Sequence, residues 1–289
     1  MPGHDEEGNV DTFVFTAVLL AAACHAGWNA AIKGGDPMFT TALISAGAGI
    51  VALFFVPFVG LPNAAAWPWV IASVVIHLIY FAALIESYQA GDMGQVYPIA
   101  RGSAPLMTAV VTTLFVEERL GAFGWFGIVL LVAGVFLLSL RGGRDLVRLD
   151  RRAVGFALFT AVTICAYSVV DGVGARIAGN AHAYSAILFV GMAPVMAIYA
   201  VARRGSGMVS TMPRHWRIGL AGGALQLGSY GTAIWAMTVA PIAIVAALRE
   251  TSVLFGTVIA VIFLKEPLRN DRILAALLIV AGLASIRLA

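Results

Sequence analysis

The chain of 289 residues is 61% hydrophobic and only 11% charged, with a formal net charge of +3. A soluble domain is about half apolar and about a quarter charged, so this composition excludes a cytosolic enzyme, a nucleic-acid-binding domain and a disordered protein. The small basic excess sits in short loops, where it is a topology signal rather than a nucleic-acid footprint.

A helix needs about 20 mostly apolar residues to cross hydrocarbon. Ten such runs follow one another, at 12–32, 38–58, 68–90, 96–116, 122–140, 153–173, 183–202, 217–238, 243–264 and 272–288. Their interiors are rich in Ala, Val, Ile, Leu and Gly and do not alternate, which argues against a β-barrel. The connections are too short to hold a soluble domain. The expected fold is all-α: a polytopic membrane protein with a short tail at 1–11, a five-helix unit at 12–140, a basic linker at 141–152 and a second five-helix unit at 153–289. The flank of the first run carries Asp5, Glu6, Glu7 and Asp11 and no basic residue, unlike the basic start of a secretory signal. Cys24 and Cys165 both fall inside runs and are expected to behave as small buried hydrophobes.

Sliding the sequence on itself by 148 positions lays 97–140 on 245–288 with 11 identities in 44. Aliphatic matches mean little in such a chain. The informative ones are Arg101 with Arg249, Glu118 with Glu266, and Gly134 with Gly282. Five runs per half is an odd number, so the second half enters the membrane upside down. Inverted repeats of this kind build carriers whose two faces open alternately, with the substrate site between the halves.

The block Pro98-Ile-Ala-Arg101-Gly-Ser-Ala-Pro105 runs into Glu117-Glu118-Arg119-Leu120. Its partner Leu248-Arg249-Glu250-Thr251 runs into Lys265-Glu266-Pro267-Leu268. With Gly134 and Gly282 in the spans that follow, the chain resembles the EamA-type members of the drug/metabolite transporter superfamily over 12–288. The resemblance implies ten transmembrane helices in a bacterial inner (cell) membrane, a small-molecule substrate and a monomer or weak dimer. It does not name the substrate. The stretch His25-Ala-Gly-Trp28-Asn29 further resembles a subgroup linked to phosphonate or organic-acid use.

Of the 18 basic residues, 13 fall on the face opposite the termini and 3 (Arg119, Arg176, Arg287) on the terminal face, with Arg101 and Arg249 inside spans. The positive-inside rule therefore places both termini outside, whereas the resemblance implies both inside.

An ionisable group within a span must face a cavity or a partner. His25, Asn29 and Lys33 share one face of the first helix, flanked by Trp28. His25 is read either as an interhelical hydrogen-bond partner or as a proton entry group; Trp28 either packs or walls the cavity. In the third helix, Glu86 either reaches the interface or acts as counter-charge to Arg101 or as a proton site, and Tyr80 either packs or binds. Arg101 and Arg249 are equivalent under the repeat, and the guanidinium fork suits carboxylate, phosphate or phosphonate. Neighbouring side chains on a helix diverge by about 100°, so Glu250 is placed to pair with Arg101 or another helix rather than with Arg249. The arginines form either a closed ion-pair network or an anion site with Glu250 as an acidic coupling group. Tyr167 and Asp171 lie one helical turn apart, as do Gln226 and Tyr230; Asp171 is expected close to a helix end.

No zinc-type His-Glu-x-x-His, phosphate loop or nucleophile elbow occurs, so no catalytic residue, metal or cofactor is expected. The sequence thus points to a secondary transporter, moving a small metabolite that carries a carboxylate or phosphonate group. Arg101, Arg249, Trp28, Asn29, Tyr80, Gln226 and Tyr230 are the candidate substrate contacts. Glu250, Glu86, His25 and Asp171 are the candidates for proton coupling or counter-charge. The competing classes are an intramembrane lipid-modifying enzyme and a membrane regulatory subunit.

Overall fold

The computed structural model describes residues 11–33, 36–90, 93–140, 151–264 and 270–288. The acidic tail, most of the basic linker, and Lys265 to Arg269 with Glu266 lie outside them, as does the side chain of Lys33. The helices are α1 (Thr12–Lys33), α2 (Pro37–Val59), α3 (Trp67–Ala90), α4 (Met93–Phe115), α5 (Ala122–Leu140), α6 (Arg151–Ala178), α7 (Ala181–Arg204), a one-turn α8 (Gly207–Thr211), α9 (Trp216–Val239), α10 (Ile242–Arg249), α11 (Ser252–Leu264) and α12 (Asn270–Arg287). No strand occurs among the described residues. Ten spans result, the ninth made of α10 and α11.

Local chemistry sets several boundaries. Asp36 caps α2, its carboxylate accepting from Phe39 N at 3.0 Å just before Pro37. Asn180 caps α7 by accepting from His182 N and Ala183 N. α4 ends in a wrap in which Val116 N and Glu118 N both donate to Thr112 O, with Glu117 at φ 58°. Glycine usually takes that left-handed position; here it turns the chain so that Glu118 points back toward the bundle.

Polar contacts fix the order of the spans through the membrane. Arg287 at the end of α12 donates to Thr12 at the start of α1 at 2.6 Å, so both described ends share a face. Arg176 near the end of α6 lies on that same face, bound to Glu118. On the opposite face Arg204 meets Asp36 and Arg203 meets Glu86. α1 therefore begins on the face where α6 ends, and the second half is inverted relative to the first.

Helix pairings obey the same exchange. α5 packs on α12 and α2 on α7, each pair mapping onto itself; α1 on α9 corresponds to α6 on α3, and α4 on α6 to the ninth span on α1. The α5–α12 seam shows this at atomic scale. A Cβ on Gly127 would sit 2.8 Å from Gly282 O, and one on Gly134 2.8 Å from Ala275 O. The shift of 148 converts one of these contacts into the other. Bare glycines let the backbones touch, which is how apolar helices associate without a hydrophobic drive.

Six stretches among the described residues are long and apolar enough to span a membrane, and 99–115 and 122–138 form shorter apolar helices. Phe54, Phe58, Leu114, Phe126, Ile262 and Leu277 present large apolar side chains outward. A water-facing surface of that kind would aggregate; a lipid-facing one is what a polytopic membrane protein needs.

Two expectations about the helices change. The ninth span, read as one run over 243–264, is interrupted at Glu250 and Thr251. There Glu250 N, Thr251 N, Val253 N and Leu254 N bond three residues back instead of four, a tightening that often marks a functional break. The sixth span runs past 173 to Ala178, so Asp171 is not near a helix end: it is wholly buried, two turns inside α6. Gly172 and Gly174 end the apolar run in the sequence, yet they serve packing, with Gly172 against Ile242 and Gly174 against Trp69 and Tyr184.

Candidate functional site

The broken ninth span and the polar faces of α1, α3, α4, α6 and α9 meet at a cavity between the halves. It is lined by His25 and Trp28 from α1, His77, Tyr80 and Phe81 from α3, Arg101 from α4 and Tyr167 from α6. Phe189 and Met192 of α7, Gln226 and Tyr230 of α9, and Arg249 of α10 complete the wall. About 40 Å³ is open to the centres of water molecules, room for a few waters and far below the few hundred Å³ of a ligand pocket.

The two arginines related by the repeat have different surroundings. Arg101, 4% exposed, donates from Nε to Glu250 Oε2 at 3.0 Å. Arg249, 8% exposed, makes no ion pair with a carboxylate among the described residues. Its guanidinium carbon lies 4.6 Å above the Tyr230 ring instead, a cation–π contact on the cavity wall. Glu250 follows Arg249 in sequence but points to the other half.

Tyr230 joins the cavity to a second polar group. Its hydroxyl donates to Asp171 Oδ2, and Tyr184 donates to Oδ1 at 2.9 Å. His77 stacks on Tyr167 at 4.2 Å and bonds through Nδ1 to Ser73 O at 2.9 Å. The same nitrogen lies 3.1 Å from the Ser73 hydroxyl, so it donates to the carbonyl in one tautomer and accepts from the hydroxyl in the other. Tyr80, Tyr167, Phe189 and Tyr230 pack edge to face, with centroids 5.5 to 6.3 Å apart, and His25 meets Trp28 edge-on at 4.9 Å. Trp28 Nε1 and Gln226 Oε1 are buried with no hydrogen-bond partner among the described residues, which puts one donor and one acceptor on the wall.

Of the candidates from the sequence, the cavity brings together Arg101, Arg249, Trp28, Tyr80, Gln226, Tyr230 and His25, with Glu250 and Asp171 directly behind it. It does not bring in Asn29, whose amide donates to His25 O within its own helix at 2.9 Å. Nor does it bring in Glu86, which pairs at 3.1 Å with Arg203 at the face opposite the termini and so is not the counter-charge of Arg101. The sequence reading passed over Tyr184, Phe81, Phe189 and Met192. Apolar and aromatic residues on packed helices carry the same signature whether they fill a core or wall a cavity.

On the terminal face a polar cluster joins the halves. Glu118 accepts from Ile242 N at 3.0 and 2.9 Å and from Arg176 Nη2 at 2.6 Å. Arg176 also donates to Met237 O at 2.8 Å and Ala240 O at 3.2 Å. A carboxylate of the first half thus caps α10 of the second, where the helix dipole favours negative charge.

Comparison with known proteins agrees with this architecture. No curated protein matches the chain. A solved crystal structure, titled only as that of a protein, superposes with a TM-score of 0.74 at 18% identity, covering 96% of each chain; at that identity it speaks for the fold alone. The model of the EamA-like transporter family matches residues 12–140 and again 151–288. Its two copies fall on the two inverted five-span halves that enclose the cavity, and the chain belongs to the EamA-like transporter family.

Proposed function

We propose that this membrane transporter is a secondary carrier for a small metabolite bearing a carboxylate or phosphonate group, working by alternating access in a bacterial inner membrane as a monomer or weak dimer. The observation that carries this reading is Arg249: a buried guanidinium on the cavity wall, against Tyr230 and with no carboxylate partner among the described residues. A permanent cation in a dry site is costly unless an anion meets it. Trp28 Nε1 supplies a further donor for the anionic end, Gln226 Oε1 an acceptor for a polar group elsewhere on the substrate, and the tyrosines walls for its carbon skeleton. The cramped cavity fits an occluded conformation, and the Glu118–Arg176–Ile242 cluster fits a closed gate on the terminal face.

Thermal unfolding of the purified protein over a panel of amino acids, organic acids and phosphonates tests the reading, because a ligand that binds only the folded state raises its apparent stability. Anions that stabilise are expected to drive counterflow in proteoliposomes, whereas their neutral amides are not. Stabilisation by neutral or cationic compounds alone would overturn it. The charge distribution further supports a reading with the loop around 146 in the cytoplasm and both termini outside. Reporter fusions at 146 and at the C-terminus check this, and a cytoplasmic C-terminus with an external 146 would contradict it.

A further inference from the structure

We propose that Asp171 is the proton-binding carboxylate of this carrier, loaded from the cavity past His77 and coupled to the anion through Tyr230. The proposal rests on the carrier reading above and selects one group among its acidic candidates.

Three observations single out Asp171. First, it is wholly buried, and its oxygens are held by two neutral donors, the hydroxyls of Tyr184 and Tyr230. It makes no ion pair among the described residues. Taking up a proton therefore breaks no direct ion pair, and the tyrosine hydroxyls can rotate to accept from the new carboxyl. Glu250 differs: neutralising it would break its ion pair with Arg101, which it meets at 3.0 Å in a site equally dry. Glu86 is ion-paired at the protein surface, away from the cavity.

Second, the groups around Asp171 lead to the cavity. From α3, His77 and Ser73 face it; from α7, Tyr184; from α9, Tyr230; and from its own helix, Tyr167. α10 contributes Arg249, which lies over Tyr230, and α4 contributes Arg101, engaged by Glu250. His77 lines the cavity. Held through Nδ1 by Ser73, its imidazole can take a proton from the cavity and release it to a carboxylate oxygen of Asp171. The proton is transferred whole, and His77 returns to neutral.

Third, charge balances. Among the described residues, the charged side chains buried at the centre are Arg101, Arg249, Glu250 and Asp171. Fully ionised they sum to zero. With Asp171 protonated the centre carries one positive charge, which a monoanion on Arg249 cancels. A proton and an anion therefore favour each other's binding, and either alone leaves a net charge in the bilayer. Tyr230 transmits the coupling because one ring touches both sites.

Infrared titration of the full-length protein in lipid, followed at the C=O stretch of protonated carboxyl groups, tests this without a ligand. The parent is expected to show a buried carboxyl band that appears and disappears as the pH is varied. Asp171→Asn should lose the band, whereas Glu250→Gln should keep it. Tyr184→Phe, which retains the carboxyl and removes one hydrogen bond, should shift the band and thereby assign it even if Asp171→Asn does not fold. A band that disappears in Glu250→Gln, is unmoved by Tyr184→Phe, or is missing from the parent would overturn the proposal. The carrier reading is judged separately by the anion panel: stabilising anions with no Asp171 band would sink the proton site alone, and an Asp171 band in a protein that no anion stabilises would sink the anion reading alone.

Discussion

Arg101 and Arg249 occupy the same position in two copies of one design, yet their partners differ. The cause lies one residue further along. In the second half that residue is Glu250, which crosses the interface to Arg101. In the first half it is Gly102, where a Cβ would already press against the Phe136 ring at 2.7 Å, so this position offers Arg249 no carboxylate. A symmetric scaffold thereby holds an asymmetric site: one arginine is neutralised by the protein, and the other is left for a ligand. The repeat supplies two faces that can open in turn, and a single departure from it fixes which cation meets the anion.

The largest expected effect comes from breaking the neutralised side. Glu250→Gln leaves Arg101 buried beside a neutral amide and should destabilise the protein by about 3–5 kcal/mol, read by thermal unfolding in detergent. Replacing both partners, as in Arg101→Met with Glu250→Leu, should recover most of that loss, because a buried pair and an apolar pair of similar size are often of comparable stability. A double variant as unstable as Glu250→Gln would show that the pair does more than cancel its own charges.

The ligand side should respond differently. Arg249→Lys keeps the charge but loses the planar fork, so the fold should survive. Losing one charge-assisted hydrogen bond, about 1.5–3 kcal/mol, should weaken anion binding roughly tenfold to hundredfold. Arg101→Lys should alter stability more than affinity. Equal affinity losses for both lysine variants would restore the symmetric picture in which the two arginines share the anion.

The smallest effect separates buried from exposed charge. In the Glu86–Arg203 pair the side chains are 35% and 45% exposed, against 5% for each partner of Arg101–Glu250. Glu86→Gln should therefore shift stability by less than about 1 kcal/mol and leave transport unchanged in proteoliposomes. A lost activity there would return Glu86 to the coupling groups.

Much of this was legible in the sequence because a bilayer imposes length and polarity rules that few other environments do. The ten spans follow from apolar run length, and the match of Arg101 with Arg249 and of Gly134 with Gly282 exposes the repeat. That Glu250 faces the other half follows from the angle between successive helical residues. The depth of Asp171 was hidden because Gly172 and Gly174 imitate a helix end, and only the packing of Tyr184 and Ile242 shows why they are there. The break at Glu250 was hidden too, since nothing in Leu248 to Ser252 forbids a continuous helix; it exists where the halves meet. Asn29 looked like a cavity group by spacing, but its amide found the nearest carbonyl of its own helix.

The central claim is that the anion is held by Arg249 rather than shared between the two arginines. Binding of whichever anion most stabilises the parent, measured by calorimetry on Arg249→Lys and on the Arg101→Met/Glu250→Leu double variant, tests it most directly. The account predicts affinity close to the parent's in the double variant and a loss of at least roughly tenfold in Arg249→Lys. Parental affinity in Arg249→Lys, with binding abolished in a folded double variant, would contradict it.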